Sequence, residues 1–269
     1  MMFQKKSLGQ HFLHDEDIAK KIVDAFLRDS ILQKDGISEC TIVEIGAGMG
    51  VLTKYLVGAE KFLPLHIIEI DTRCVEYLHK QFPQLQGRII NEDILKIDFE
   101  KYFQSPIGII GNFPYNISTQ ILFKILENRN KIPLMVGMFQ KEVAKRVASK
   151  NNSKEYGIPS VLIQAFYDVE YLFEVGENSF SPPPKVKSAV IRLVRNEKKK
   201  LDCDEDLFCK IVKAGFGQRR KMLRNALKSF VGAKNFLPLR EEKIFDKRAE
   251  QLTVEDFVNL TLKLTHADS

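Results

Sequence analysis

Between Thr41 and Ala148, short apolar runs alternate with segments of helical spacing, a pattern that few architectures accommodate. Thr41–Ile45, Leu65–Ile68, Arg88–Ile90, Ile107–Ile110 and Leu134–Phe139 read as buried strands, while Val51–Val57, Thr119–Glu127 and Lys141–Ala148 read as helices. Such a series predicts an α/β fold built on an open, mostly parallel sheet. Ahead of it, Asp15 is placed to cap a helix reaching about Leu27, with Ile18, Ile22, Val23 and Phe26 on one face. Beyond it, Ser160 is placed to cap a short helix to Tyr167. Asp168–Val175 and Ser188–Val194 then read as two closely spaced strands, which predicts seven strands in all and an antiparallel edge.

Ligands of open α/β sheets bind in loops at the carboxyl ends of the strands, so the residues in those loops point to function. Asn112-Phe113-Pro114-Tyr115 lies on the loop after the fourth strand and offers an amide oxygen, a rigid turn and an aromatic face. That set suits a flat base carrying an exocyclic amine. After the first strand comes Gly46-Ala47-Gly48-Met49-Gly50, whose glycines permit positive φ and close backbone approach. A dinucleotide fingerprint needs its third glycine where Val51 stands, which argues against NAD. Glu44, just ahead of the loop, favours a cationic ligand group over a pyrophosphate. Glu69 ends the second strand about 20 residues after the glycines, a position suited to ribose hydroxyls. Asp93, after the third strand, could accept a hydrogen bond from an adenine amine. Gly9-Gln10-His11-Phe12-Leu13 is polar and aromatic and could cover a ligand; Phe180, ahead of a stiff proline run, suits either core packing or base stacking.

Charge adds a partner. The net charge is +6, yet Leu207 to Leu239 carries eight basic residues and no acidic one, so the rest of the chain sums to −2. Concentrated basic charge is the footprint of a polyanion. The polar run Asn196–Lys200 reads as a linker, dividing a catalytic domain (1–196) from a small all-α domain (197–269). In the latter, Phe216–Phe230 is expected to be one helix with Arg220, Arg224 and Lys228 at every fourth residue, and a last helix begins near Thr253. Like charges at that spacing weaken an isolated helix, and a phosphate backbone would relieve them. No apolar run approaches 18 residues, and the N-terminus lacks the apolar block of a signal peptide, so a cytoplasmic protein is expected. The four cysteines fall at no metal-ligand spacing; reduced thiols and no metal site are expected.

Taken in order, Glu44-Ile45-Gly46-Ala47-Gly48-Met49-Gly50, Glu69, Asp93 and Asn112-Phe113-Pro114-Tyr115 resemble a class I S-adenosylmethionine-dependent methyltransferase of adenine N6. With Gly9–Leu13, Gln140–Arg146, Phe180–Val194 and Phe216–Asn225 added, the chain is similar over nearly its whole length to the small-subunit ribosomal RNA adenine dimethyltransferases. The resemblance implies a Rossmann-like catalytic domain with a helical domain that binds rRNA through Arg219, Arg220, Lys221, Arg224 and Lys228. It also implies dimethylation of N6 on two adjacent adenosines in the 3′-terminal hairpin of 16S rRNA, late in assembly of the 30S subunit. S-adenosylmethionine, leaving as S-adenosylhomocysteine, would contact His11, Leu13, Gly46, Glu69, Asp93 and Asn112. Family members often carry Asn in place of His11 and Leu in place of Phe113. A monomer without membrane association is expected.

In this scheme the Asn112 side-chain oxygen and the Phe113 backbone carbonyl accept from the target amine, Pro114 stiffens the loop, Tyr115 stacks on the flipped base and Phe180 closes its other face. Two other readings compete. The 23S rRNA adenine methylases that confer antibiotic resistance share the central motif but lack the Gln218-Arg219-Arg220-Lys221 run. A non-catalytic assembly factor would have no need of Gly46, Glu69, Asp93 and Asn112.

Overall fold

Thr41–Ile45 (β2) is buried at all five positions, as a strand covered on both faces must be. It stands third in a seven-stranded sheet in a computed structural model that describes residues 10–28, 40–59, 64–228 and 242–267. The other strands are Leu65–Ile68 (β3), Ile89–Ile90 (β4), Ile107–Asn112 (β5), Leu134–Gln140 (β6), Tyr167–Val175 (β7) and Ser188–Arg195 (β9). Their order is β4-β3-β2-β5-β6-β9-β7. Strands β4, β3, β2, β5 and β6 run parallel, and β9 runs antiparallel to β6, pairing Leu134 with Val194 through Gln140 with Ser188. From β2 the chain steps outward to β3 and β4, then crosses back to β5 on the other side of β2. The reversal opens a crevice between the carboxyl ends of β2 and β5.

The antiparallel strand is not at the edge, as the sequence suggested, but one place in from it. β9 is buried over its first six residues, whereas β7 is buried only at Tyr167 and Val175 and is half-buried or exposed between them. A strand with two covered faces belongs inside the sheet, and one left partly exposed can stand at its margin. A separate two-stranded ladder joins Phe12–Leu13 (β1) to Phe180–Ser181 (β8), with Phe12 opposite Ser181 and Leu13 opposite Phe180.

Helix Glu16–Leu27 (α1) starts where Asp15 Oδ1 accepts the Ile18 N–H at 3.2 Å, and Glu16 and Asp17 favour the positive end of the helix dipole. It buries Ala19, Ile22, Val23 and Phe26; Ile18 is only half-buried. The remaining helices of this part are Thr53–Ala59 (α2), Thr72–Gln81 (α3), Phe99–Tyr102 (α4) and Ser118–Glu127 (α5). Asp71 caps α3 through the Arg73 N–H.

The chain divides into two compact units, one of residues 1–144 and 168–195, the other of 145–167 and 196–269. The single expected boundary at 196 therefore differs for 145–167, which groups with the C-terminal helices. The second unit holds the end of Lys141–Ala148 (α6), Ile158–Gln164 (α7), Glu205–Gly217 (α8), Leu223–Ala226 (α9) and Val254–Ala267 (α10). The expected cap Ser160 lies inside α7, whose N-cap is Gly157; its hydroxyl accepts the Gly157 N–H at 2.9 Å and donates to the Arg146 carbonyl. Thr253 and Asp256 cap α10 reciprocally, each side chain accepting the other's backbone N–H at 3.0–3.1 Å.

The expected helix Phe216–Phe230 does not form as one element. α8 ends at Gly217, the chain turns through Gln218–Lys221, and α9 is a single turn; residues 229–230 lie outside the described part. Tertiary bonds favour the break: the Leu223 N–H donates to the Lys247 carbonyl at 2.8 Å, and Phe216 stacks on Phe257 with ring centres 6.0 Å apart. Arg220, Arg224 and Lys228 thus do not line one helix face.

Candidate active site

The loop after β2 turns at Gly46 and Gly48, whose φ angles of +69° and +55° are left-handed and favour glycine. At Gly48 a Cβ would also lie 2.9 Å from the Phe12 ring, so β1 approaches the loop through a gap that only glycine leaves. The Gly48 N–H donates to Glu69 Oε2 at 2.9 Å, and the Asp71 N–H donates to Oε1 at 2.9 Å. Glu69 is buried, and that burial, opposed by the backbone donors, raises its carboxyl above the usual range. With the Ile70 N–H donating as well, the carboxyl still keeps lone-pair capacity for a ligand. Asn91 holds the strand end in place by donating to the Glu69 carbonyl at 2.7 Å. The outer side of the turn is fixed by Asp71, which Arg73 holds well below the usual carboxylate range and to which Gln10 donates at 3.2 Å.

Across the crevice, Asn112 ends β5. Its Nδ2 donates to the His11 carbonyl at 3.1 Å, which leaves Oδ1 as the end able to accept from a donor in the cleft. His11 Nδ1 lies 3.0 Å from the Pro182 carbonyl, an acceptor, so this nitrogen carries the proton. The His11 ring stacks on Tyr115, centres 5.4 Å apart and planes 29° apart. Tyr115 also shares a hydrogen bond with the hydroxyl of buried Ser188, and burial raises its phenol above the ordinary value. Asp93 closes the third strand's loop by accepting the Leu95 N–H at 3.0 Å.

These groups border one cleft of about 240 Å³. His11, Gly46, Glu69, Asp93, Asn112, Phe113, Pro114 and Tyr115 all line it, so most of the residues expected to bind or react converge. Its remaining walls are largely apolar, including Ile68, Ile70 and Ile94. Apolar walls with a few convergent polar groups suit a small organic ligand. A flat heterocycle with hydroxyls and an amine fits this donor and acceptor set.

Leu13 and Phe180 do not line this cleft. They pair in the β1–β8 ladder, 4% and 2% exposed, and pack in the core; Phe12 borders the cleft, and Leu13 lines a smaller hollow with Phe12, Gly46, Gly48 and Asn112. Reasoning from sequence missed the roles of Asn91 and Ser188 and gave Gln10 no partner. Each acts by a hydrogen bond to a residue at least 20 positions away, which no local pattern signals.

In the second unit, Arg219 is committed to structure: Nε donates to Glu250 at 2.7 Å and Nη2 to the Lys154 carbonyl at 2.6 Å. Arg224 pairs with Asp246. Arg220, Lys221 and Lys228 are exposed. Among the described residues no cluster of His, Cys, Asp and Glu could hold a metal ion, and no helix is long and apolar enough to cross a membrane.

Residues 1–266 match the family described as ribosomal RNA adenine dimethylase. The chain belongs to that family. Among adenine dimethylase relatives, the proteins named Ribosomal RNA small subunit methyltransferase A from Cytophaga hutchinsonii and Flavobacterium johnsoniae are each 54% identical over 261 residues, covering 97% of this chain and 97% and 95% of theirs. A dimethyladenosine transferase from Plasmodium falciparum shares the fold, with a TM-score of 0.78 and 24% identity over 96% of this chain and 98% of that one. The 23S rRNA methyltransferase ErmE shares it less closely, at a TM-score of 0.67 and 20% identity, covering 94% of this chain and 99% of that one. The Rossmann-like methyltransferase fold is thus common to the adenine dimethylases and a neighbouring rRNA methylase.

Proposed function

We propose that this ribosomal RNA adenine dimethylase transfers methyl groups from S-adenosylmethionine to N6 of two adjacent adenosines in the 3′-terminal hairpin of 16S rRNA, within the 30S subunit or its precursor in the cytoplasm. The observation that carries the reading is the fixed amide of Asn112, held at its nitrogen by the His11 carbonyl, in a cleft that Tyr115 also lines. The family and the small-subunit names of relatives near half identity favour this target over 23S rRNA.

The chemistry follows from the amine. The N6 lone pair of adenine is delocalised into the ring and is a poor nucleophile. Acceptors facing its two protons favour the sp³-like geometry that frees the pair; Asn112 Oδ1 and the Phe113 carbonyl are assigned that role. Tyr115 stacks on the extruded base, an interaction worth roughly 1–3 kcal/mol. Glu69 and Asp93 hold the donor's adenosyl group, and Gly46 lets the backbone approach it. S-adenosylmethionine supplies an electrophilic methyl on a cationic sulfur and leaves as S-adenosylhomocysteine, so no enzyme nucleophile is needed. Positioning of the amine by the chain is then the main contribution.

The test is transfer of labelled methyl to small subunits purified without the modification, beside 23S rRNA and duplex DNA. Label recovered as N6,N6-dimethyladenosine in 16S rRNA alone is expected. Label in 23S rRNA would move the chain to the resistance methylases, and tight particle binding without label would make it an assembly factor.

A further inference from the structure

Gly111 of β5 and Gly137 of β6 stand opposite each other in the parallel ladder, so any side chains there would rise on the same face of the sheet. The Phe113 ring occupies that space. A Cβ on Gly111 would lie 2.7 Å from Phe113 Cε1, and a Cβ on Gly137 would lie 2.1 Å from Cε2, so opposite edges of one ring cover the two glycines. The ring is 1% exposed and packs against Phe139, centres 5.0 Å apart. Its own backbone N–H donates to the Met138 carbonyl at 3.2 Å. Residue 113 is therefore fixed at both its side chain and its main chain, immediately after Asn112.

We propose that Gly111 and Gly137 are positioning residues for methyl transfer: together they form the seat of the Phe113 ring, and the seated ring sets where the Asn112 amide and the Phe113 carbonyl stand at the cleft. This rests on the acceptor roles assigned above. Neither glycine touches substrate. The two seats differ in a way that makes the idea testable. At Gly137 the three nearest obstacles to a Cβ are all atoms of the Phe113 ring, whereas at Gly111 the Ile45 carbonyl oxygen stands 2.6 Å away as well. Shrinking residue 113 removes the first obstacle and leaves the second.

The experiment measures kcat, KM for small subunits and the dissociation constant for S-adenosylmethionine. It compares the wild type with Gly137→Ala, Gly111→Ala, Phe113→Leu and the two glycine variants combined with Phe113→Leu. Gly137→Ala is expected to lower kcat about 100-fold, the effect of misplacing a reacting group by about an ångström. Its KM and cofactor affinity should change less than about threefold, because ground-state contacts are kept. Phe113→Leu alone should cost a few-fold, yet in the Gly137→Ala background it should recover at least about tenfold, a coupling expected of residues in contact. The Gly111→Ala variant should not be rescued. If Gly137→Ala fails to fold, the double variant should fold, since the ring is the obstacle. Wild-type kcat in Gly137→Ala, a double variant no better than the single, or equal rescue of both glycine variants would overturn the proposal. An inactive wild type would instead overturn the assigned function.

Discussion

The hydroxyls of Tyr115 and Ser188 meet in a hydrogen bond between the loop after β5 and the first residue of β9, 73 positions apart in the chain. Ser188 is fully buried, so the bond is also its polar partner. Stacking needs only the ring, yet this contact fixes how the ring is presented. Tyr115→Phe should retain most transfer activity but lose roughly 1–3 kcal/mol of stability, because a buried hydroxyl is left unsatisfied. Tyr115→Ala should lose most activity. Urea denaturation beside the methyl-transfer rate checks both; a Phe variant of unchanged stability would show the bond to be dispensable.

Asn112→Ala should abolish transfer while binding to the small subunit persists. It removes the acceptor for the amine and also frees the His11 carbonyl, so the segment bearing His11 loses one of its ties. A filter-binding titration beside a single-turnover assay separates the two effects. Turnover at the wild-type rate would remove Asn112 from the reaction.

Glu44 is fully enclosed and accepts from the Thr53 hydroxyl at 2.6 Å; burial pushes its carboxyl up to about 8, with the nearby charge of Glu69 adding to the shift. The unfolded chain releases this proton near pH 4.3. Between that pH and about 8 the folded state holds a proton that the unfolded state has lost. Rising pH is therefore destabilising across the window, by at most about 1.4 kcal/mol per pH unit from this group. Glu44→Gln, which mimics the neutral acid, should flatten the decline in urea midpoint between pH 5.5 and 8. Parallel declines in both proteins would mean that Glu44 is ionised in the fold.

The basic residues of the second unit should separate into two kinds. Arg219→Ala removes an ion pair and donors to the Ser153 and Lys154 carbonyls, at a cost of about 1–2 kcal/mol in stability and with little change in the salt dependence of RNA binding. Lys221 is exposed; Lys221→Ala should leave stability intact and lower the slope of log affinity against log salt by about 1. Denaturation and binding titrations at several salt concentrations distinguish them.

Much of this molecule is legible in local sequence. The apolar run Thr41–Ile45, the glycines at positive φ after it, the acids Glu69 and Asp93 and the Asn112–Tyr115 loop all stand where strand length, alternation and loop position put them. Each is a short-range property, since burial on both faces makes a strand apolar and a tight turn demands glycine. Tertiary structure alone decided which groups share a contact. It placed β9 inside β7, paired Leu13 with Phe180 in the β1–β8 ladder, and ended α8 at Gly217. It also bound Arg219 to Glu250 and seated the Phe113 ring on Gly137. Periodicity reports which face an element buries, but the partner it buries against depends on chain closure over tens of residues, which no local pattern records.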